Sequence, residues 1–192
     1  FLRVGVTVAT GEEIEEIYDR SLIDSVWAAT IDSAERNNEP GKFTAFSGYE
    51  FTAMMAVPGD GPPAAGNLHR NVIFRGDAPP RLFSPLDSTN PEDLWTWMET
   101  QRGEGRDVLA IPHNSNISNG EMFALQTYTG APMTADYAER RMRNEPLVEV
   151  SQVKGTSETN ATLSPNDEWA GFEQYEYFVG SSVRLTAGAG DF

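Results

Sequence analysis

Two hydrophobic periodicities alternate along this chain, and that alternation constrains its fold more than any other feature. From Ser21 the apolar residues Leu22, Ile23, Val26, Trp27, Ile31 and Ala34 recur at helical spacing. They predict an amphipathic helix that Asn37-Asn38-Glu39-Pro40-Gly41 stops. Phe43 to Tyr49 reads as an aromatic-rich strand closed by Glu50. Residues 54–67 (MMAVPGDGPPAAGN) are rich enough in Pro and Gly to read as a loop, and Asn71 to Arg75 follows as a strand. Thr89-Asn90-Pro91-Glu92-Asp93 opens a second helix, with a cap, a proline in the first turn and acids against the dipole. Leu94, Trp95, Trp97 and Met98 supply its buried side. Asp107 to Ile111 is a short apolar strand running into Pro112-His113 and a polar loop, Asn114 to Gly120. Thr134 caps a short helix through Arg143, Leu147 to Val153 reads as a strand, and Ser164-Pro165-Asn166-Asp167 starts a last helix. Mostly alternating elements of this kind predict an α/β chain with a largely parallel sheet, closed as a barrel or open. Such folds keep their chemistry at strand ends.

At 192 residues, 39% of them hydrophobic, the chain can bury one core, so one domain is expected across 1–192. Its ends, 1–20 and 181–192, are poorly defined: a short β-like opening leads into an acidic stretch, and the chain finishes in TAGAGDF. Phe1-Leu-Arg-Val-Gly-Val has neither an initiator Met nor the long apolar core of a signal peptide, which points to an internal segment of a longer protein. The compartment, periplasmic or cytoplasmic, and the oligomeric state are not fixed by any residue pattern. No apolar run approaches the ~20 residues that span a bilayer, so no membrane insertion is expected. Lys plus Arg number 14 against 29 Asp plus Glu, a formal charge of −15. A surface that acidic repels phosphate backbones and argues against nucleic-acid partners.

With no cysteine, a transition-metal site must be built from His and carboxylate. There are two histidines. His69 enters the strand at Asn71, His113 leaves the strand at Ile111, and Glu50 leaves the strand at Tyr49. Imidazole nitrogen with carboxylate oxygen is the donor set of zinc, manganese or iron. If the three strands lay side by side and parallel, Glu50 and His113 would share one rim. His69 would reach it only if its strand ran the other way or its loop folded over. A lone histidine at a strand end is ordinarily a hydrogen-bonded structural residue, and no H-E-x-x-H helix strengthens the case. Nucleophile signatures are weaker, since neither G-x-S-x-G nor G-x-x-x-x-G-K-[ST] occurs. Arg70 and Lys154 can position an anionic substrate group or can be solvated cations. Glu149 faces outward or supports a metal from behind, and Glu158 is a further loop acid.

Several stretches are similar in their wording to one family. They are NEPGKFTAFSGYEFT (38–52), NLHRNVIFRGD (67–77), PEDLWTWME (91–99), DVLAIPHNSNISNGEMF (107–123), RNEPLVEVSQVKGTSET (143–159) and LSPNDEWAGFE (163–173). Together, across about 22–177, they resemble the large bacterial family called domain of unknown function 3604. That family looks like a relative of the PHP (polymerase and histidinol phosphatase) superfamily of metal-dependent phosphoesterases, whose members form a distorted (β/α)7 barrel. Gly48-Tyr49-Glu50 matches the superfamily's G-x-E element, so the resemblance implies that Glu50 bridges two metals. His69 and His113 match its two single-histidine positions, and Glu149 the place of a supporting acid. The early H-x-H, a second Asp/His motif and the late D-x-H are missing, and Asn160 stands where many relatives carry His. The resemblance therefore implies an incomplete barrel with part of a divalent-metal site (Zn, Mn or Fe). Its expected activity is hydrolysis of a small anionic ester, phosphate-type first, by metal-activated water. The contrasting expectation is a non-catalytic module that binds a ligand or partner without turnover.

Overall fold

The computed structural model describes residues 19–57, 64–159, 161 and 163–172. Of the ill-defined ends, only Asp19 and Arg20 fall among them, and Asn160 lies outside them. The elements in chain order are α1 (Arg20–Asn37), β1 (Ser47–Phe51), β2 (Met54–Val57), β3 (Ala64–Asn67), β4 (Arg70–Arg75), α2 (Pro91–Gly103), β5 (Asp107–Pro112), α3 (Ala135–Asn144), β6 (Ser151–Gln152) and β7 (Gly155–Thr156). Two 3₁₀ turns, Ser115–Ile117 and Glu121–Phe123, follow β5.

The expected incomplete (β/α)7 barrel is overturned. Among the described residues there are three α-helices and small antiparallel sheets, a mixed α/β fold with no closed barrel. The main sheet has the order β1-β4-β5, and both of its pairings are antiparallel. The physical reason lies in the connections. Parallel neighbours need a crossover, usually a helix. Between β1 and β4 the chain instead makes the hairpin β2–β3, in the stretch the sequence marked as a loop. Between β4 and β5 a helix is present, but residues 76–90 first run back along the core. Pro79 accepts a bond from Trp27 Nε1 (2.7 Å), while Phe83 stacks on Phe51 at the opposite end of the sheet. Helix α2 then returns, and β5 re-enters beside the end where β4 left.

Two helices cover one face of this sheet. Asp19 caps α1 by accepting from Ser21 N and Leu22 N. The helix turns Ile23, Trp27, Ile31 and Ala34 inward, while Leu22 and Val26 are exposed. Asn90 caps α2, whose Leu94, Trp95 and Met98 are fully buried. Burying side chains of this size is worth ~1.5–3 kcal/mol each. They meet Phe51, Val72, Phe74, Val108 and Ala110 from alternate strand positions, and Trp97 packs edge-on to Phe74. Helix α3, capped by Thr134 as its sequence predicts, is tied to α2 by Arg140–Glu99 and through Asn144. Two further expectations fail. Leu147 to Val153 forms only the two-residue strand β6, with Val148, Val150 and Val153 exposed; the helix expected from Ser164 is a series of turns up to Phe172.

Candidate metal centre

The register of the sheet brings the candidate ligands together. Glu50 pairs with Asn71, Asn71 with Ile111, and Arg70 with Pro112. One step beyond β4 and β5, His69 therefore stands opposite His113, and His113 N donates to His69 O (3.3 Å). Side chains alternate between faces, so His69, Asn71, Ile111, His113 and Glu50 all share the face away from the helical core. Glu50 is the diagonal neighbour of His69, within reach of a long side chain. Because β4 runs against β1, a histidine at a strand start meets a glutamate near a strand end. Gly48 belongs to the same arrangement: a Cβ there would lie 2.9 Å from Val72 O, so the missing side chain lets β1 approach β4 closely just before Glu50. Tyr49 turns to the other face and donates to Phe83 O (2.7 Å); burial pushes its phenol up.

The three side chains converge on one oxygen. His69 Nδ1 lies 2.8 Å and His113 Nε2 3.1 Å from Glu50 Oε1, with the rings 5.9 Å apart at 64°. One ligand atom from each residue lies within 4.8 Å of the others, so the trio could hold a metal ion. Donors of a tetrahedral ion with bonds of about 2.0–2.1 Å sit roughly 3.3 Å apart, so these contacts need to open by only a few tenths of an ångström. His69 Nε2 and His113 Nδ1 are buried without a hydrogen-bond partner among the described residues, so Glu50 is the one hydrogen-bonding partner found there for each ring. Burial pushes the His69 imidazole below its ordinary range; Glu50 opposes this, while His113 and Lys154 push it further down. The neutral ring is the form that ligates a metal.

The chain matches, over residues 5–188, the family described as protein of unknown function DUF3604. It belongs to that family. No curated protein and no solved structure matches it.

Around the trio, this DUF3604 chain places the remaining candidates unevenly. Arg70, next to His69, points to the opposite face and is buried; its guanidinium pairs with Glu145 and donates to Leu68 O. Buried and paired, it fits neither the substrate-positioning nor the solvated cation between which the sequence left it open. Beside it, a cavity of about 40 Å³ lined by Met55, Leu68, Trp95, Glu121 and Tyr137 has room for a few waters. Lys154 sits in the turn between β6 and β7, exposed, and its charge is felt at His69. Glu149 Oε2 accepts from Asn114 N (2.9 Å), directly after His113. Glu158 is exposed and outside the trio. Three residues were missed: Asn67, whose Oδ1 accepts from His69 N (2.7 Å), and the pair Asn114 and Gln152. Asn67 carried a signal, since asparagine accepting from the amide two residues on is a recognised local turn.

Proposed function

We propose that this chain holds the metal of a hydrolase acting on small anionic esters, phosphate esters first among them. The observation that carries this reading is the convergence of Glu50, His69 and His113 on one point of the open sheet face. Two imidazoles and a carboxylate suit Zn, Mn or Fe, and three protein ligands leave positions free, as catalytic rather than structural sites do. When bound, the metal would supply a water acidified to a pKa of about 7 and polarise the ester oxygen. Glu50, His69 and His113 would hold it. The Lys154 ammonium, with no hydrogen bond or ion pair among the described residues, would draw the anionic group toward the cluster. A local cation matters here because the chain's net charge of −15 repels anions at long range. The phosphate preference rests on the wording shared with PHP motifs, and the antiparallel sheet removes the barrel from that likeness.

One observation favours a module that binds without turnover: Glu50 Oε1 already faces both imidazole nitrogens, as in a purely structural knot. Calorimetric titration with Zn²⁺ and Mn²⁺, alongside p-nitrophenyl phosphate hydrolysis, separates the two. The expected result is metal binding lost in Glu50→Gln and hydrolysis abolished by chelator. Binding without hydrolysis favours the module, and no binding sinks the metal reading.

A further inference from the structure

We infer that Gln152 is a positioning residue for His113, acting through a polar latch with Asn114 and Glu149. Its bearing on metal affinity rests on the metal reading above; its bearing on the ring does not. The argument begins with what His113 lacks. A ligating histidine ordinarily donates its second ring nitrogen to an acceptor that fixes the ring's orientation. His113 Nδ1 has no such partner among the described residues, which leaves the Glu50 contact at Nε2 and the backbone on either side to aim the ring. Both residues flanking His113 are tied to a single short segment. Glu149 N donates to Pro112 O (3.0 Å), and Asn114 N donates to Glu149 Oε2 (2.9 Å).

Asn114 takes the left-handed conformation, φ 58°, that bends the chain immediately after the ligand. Asparagine is among the few residues to adopt it readily, but an outside support still matters there. Gln152 supplies that support. Its Nε2 donates to Glu149 Oε2 (2.8 Å) and also to Asn114 Oδ1, joining the side chains of both partners. Asn114 is fully buried and its Nδ2 has no hydrogen-bond partner among the described residues, so the bond from Gln152 to its Oδ1 is what holds this amide side chain in place. Removing Gln152 leaves the Asn114 carbonyl oxygen without its donor and Glu149 with one donor fewer. A second set of bonds, from Asn116 Nδ2 to Lys154 O and from Asn116 N to Ser157 Oγ, fastens the β6–β7 turn to the same loop. The latch is separate from the hydrophobic core, which takes no residue from this segment, so it can be loosened without unfolding the protein.

The test uses the full chain with isotope-labelled histidine and compares Gln152→Ala, Glu149→Ala and Glu149→Gln by imidazole ¹⁵N spectra without metal. In Gln152→Ala and Glu149→Ala the His113 ring signals shift or broaden while those of His69 stay, and each variant still unfolds cooperatively, at a melting temperature lowered by the loss of buried hydrogen bonds. Glu149→Gln keeps an acceptor oxygen and restores most of the wild-type His113 signal. On Zn²⁺ titration the two alanine variants bind about 10-fold more weakly, the usual size of an outer-shell effect. Unchanged His113 signals in Gln152→Ala overturn the inference, as do equal shifts in both histidines, which mean general loosening. A wild type that takes up no Zn²⁺ defeats the metal reading alone, because the ring spectra still decide the latch.

Discussion

His69 and Arg70 are adjacent in sequence, yet they lie on opposite faces of one three-stranded sheet and handle charge in opposite ways. On the helical face Arg70 is sealed in, its charge met by Glu145. Glu145 is itself shared with Arg141 Nε (3.0 Å) and the Trp95 indole N–H (2.8 Å), so three donors meet on one buried carboxylate. On the other face Glu50 is half exposed, and two imidazoles each keep a buried nitrogen without a partner among the described residues. One face closes its electrostatics and becomes structure. The other leaves them open, and open donors are what a ligand needs.

The largest break in this comparison comes from Glu145→Ala. It strands a fully buried guanidinium, and removing one partner of a buried pair destabilises by about 3–5 kcal/mol. The same truncation at half-exposed Glu50 should cost less, about 0.5–1.5 kcal/mol for each imidazole bond lost. Denaturant unfolding of the two variants measures both. Comparable losses would mean that the faces do not differ in the way their exposures say.

Gly48→Ala is a smaller disturbance that reaches both faces. Its Cβ would meet a backbone carbonyl, Val72 O, at 2.9 Å, and a carbonyl held in the sheet ladder cannot swing away. The strands must part, at the ~1–3 kcal/mol typical of overpacking. The displacement falls two residues from Glu50, so metal affinity drops together with stability. A variant with wild-type melting temperature and wild-type Zn²⁺ binding would show that β1 has slack the spacing does not suggest.

The candidate site was more legible in the sequence than the fold was. Glu50 and His113 were readable as strand-end residues, and His69 came with two stated routes to their rim; the antiparallel run of β4 is the one realised. The barrel was misread because a helix between two strands gives the same alternation whether the chain crosses over or doubles back first. That doubling back rests on tertiary contacts such as Trp27 to Pro79, which no periodicity records. Pro and Gly between Val57 and Ala64 give the whole stretch a loop's composition and mask the short runs that pair as β2 and β3. Leu147 to Val153 alternates like a strand, but Leu147, Val148, Val150 and Val153 are exposed among the described residues, so the pattern carried no burial. Gln152 and Asn114 left no pattern, since a single amide side chain is recognisable only by what it touches.

The mildest test concerns the seam of α2 and α3 on the closed face. Glu99 accepts from Arg140 Nε and Nη2, both at 3.0 Å, and from Asn144 Nδ2 at 3.1 Å. The Arg140 bonds hold its carboxyl below the ordinary carboxylate range, against the opposing effect of burial. A carboxyl with a folded pKa below its unfolded one adds stability above the unfolded value, about 4.3, and loses it as pH falls through the folded value. The pair is partly exposed, so its worth is screened to ~0.2–1 kcal/mol. Glu99→Gln should therefore melt slightly below wild type near pH 7, and the gap should narrow as pH falls below the unfolded value and close only once the folded carboxyl is protonated as well. A gap that persists in acid would assign the seam to the shape and hydrogen bonds of the side chain instead of its charge. The closed face would then be held by fit even where its charges meet solvent, and the contrast with the open face would rest on burial alone.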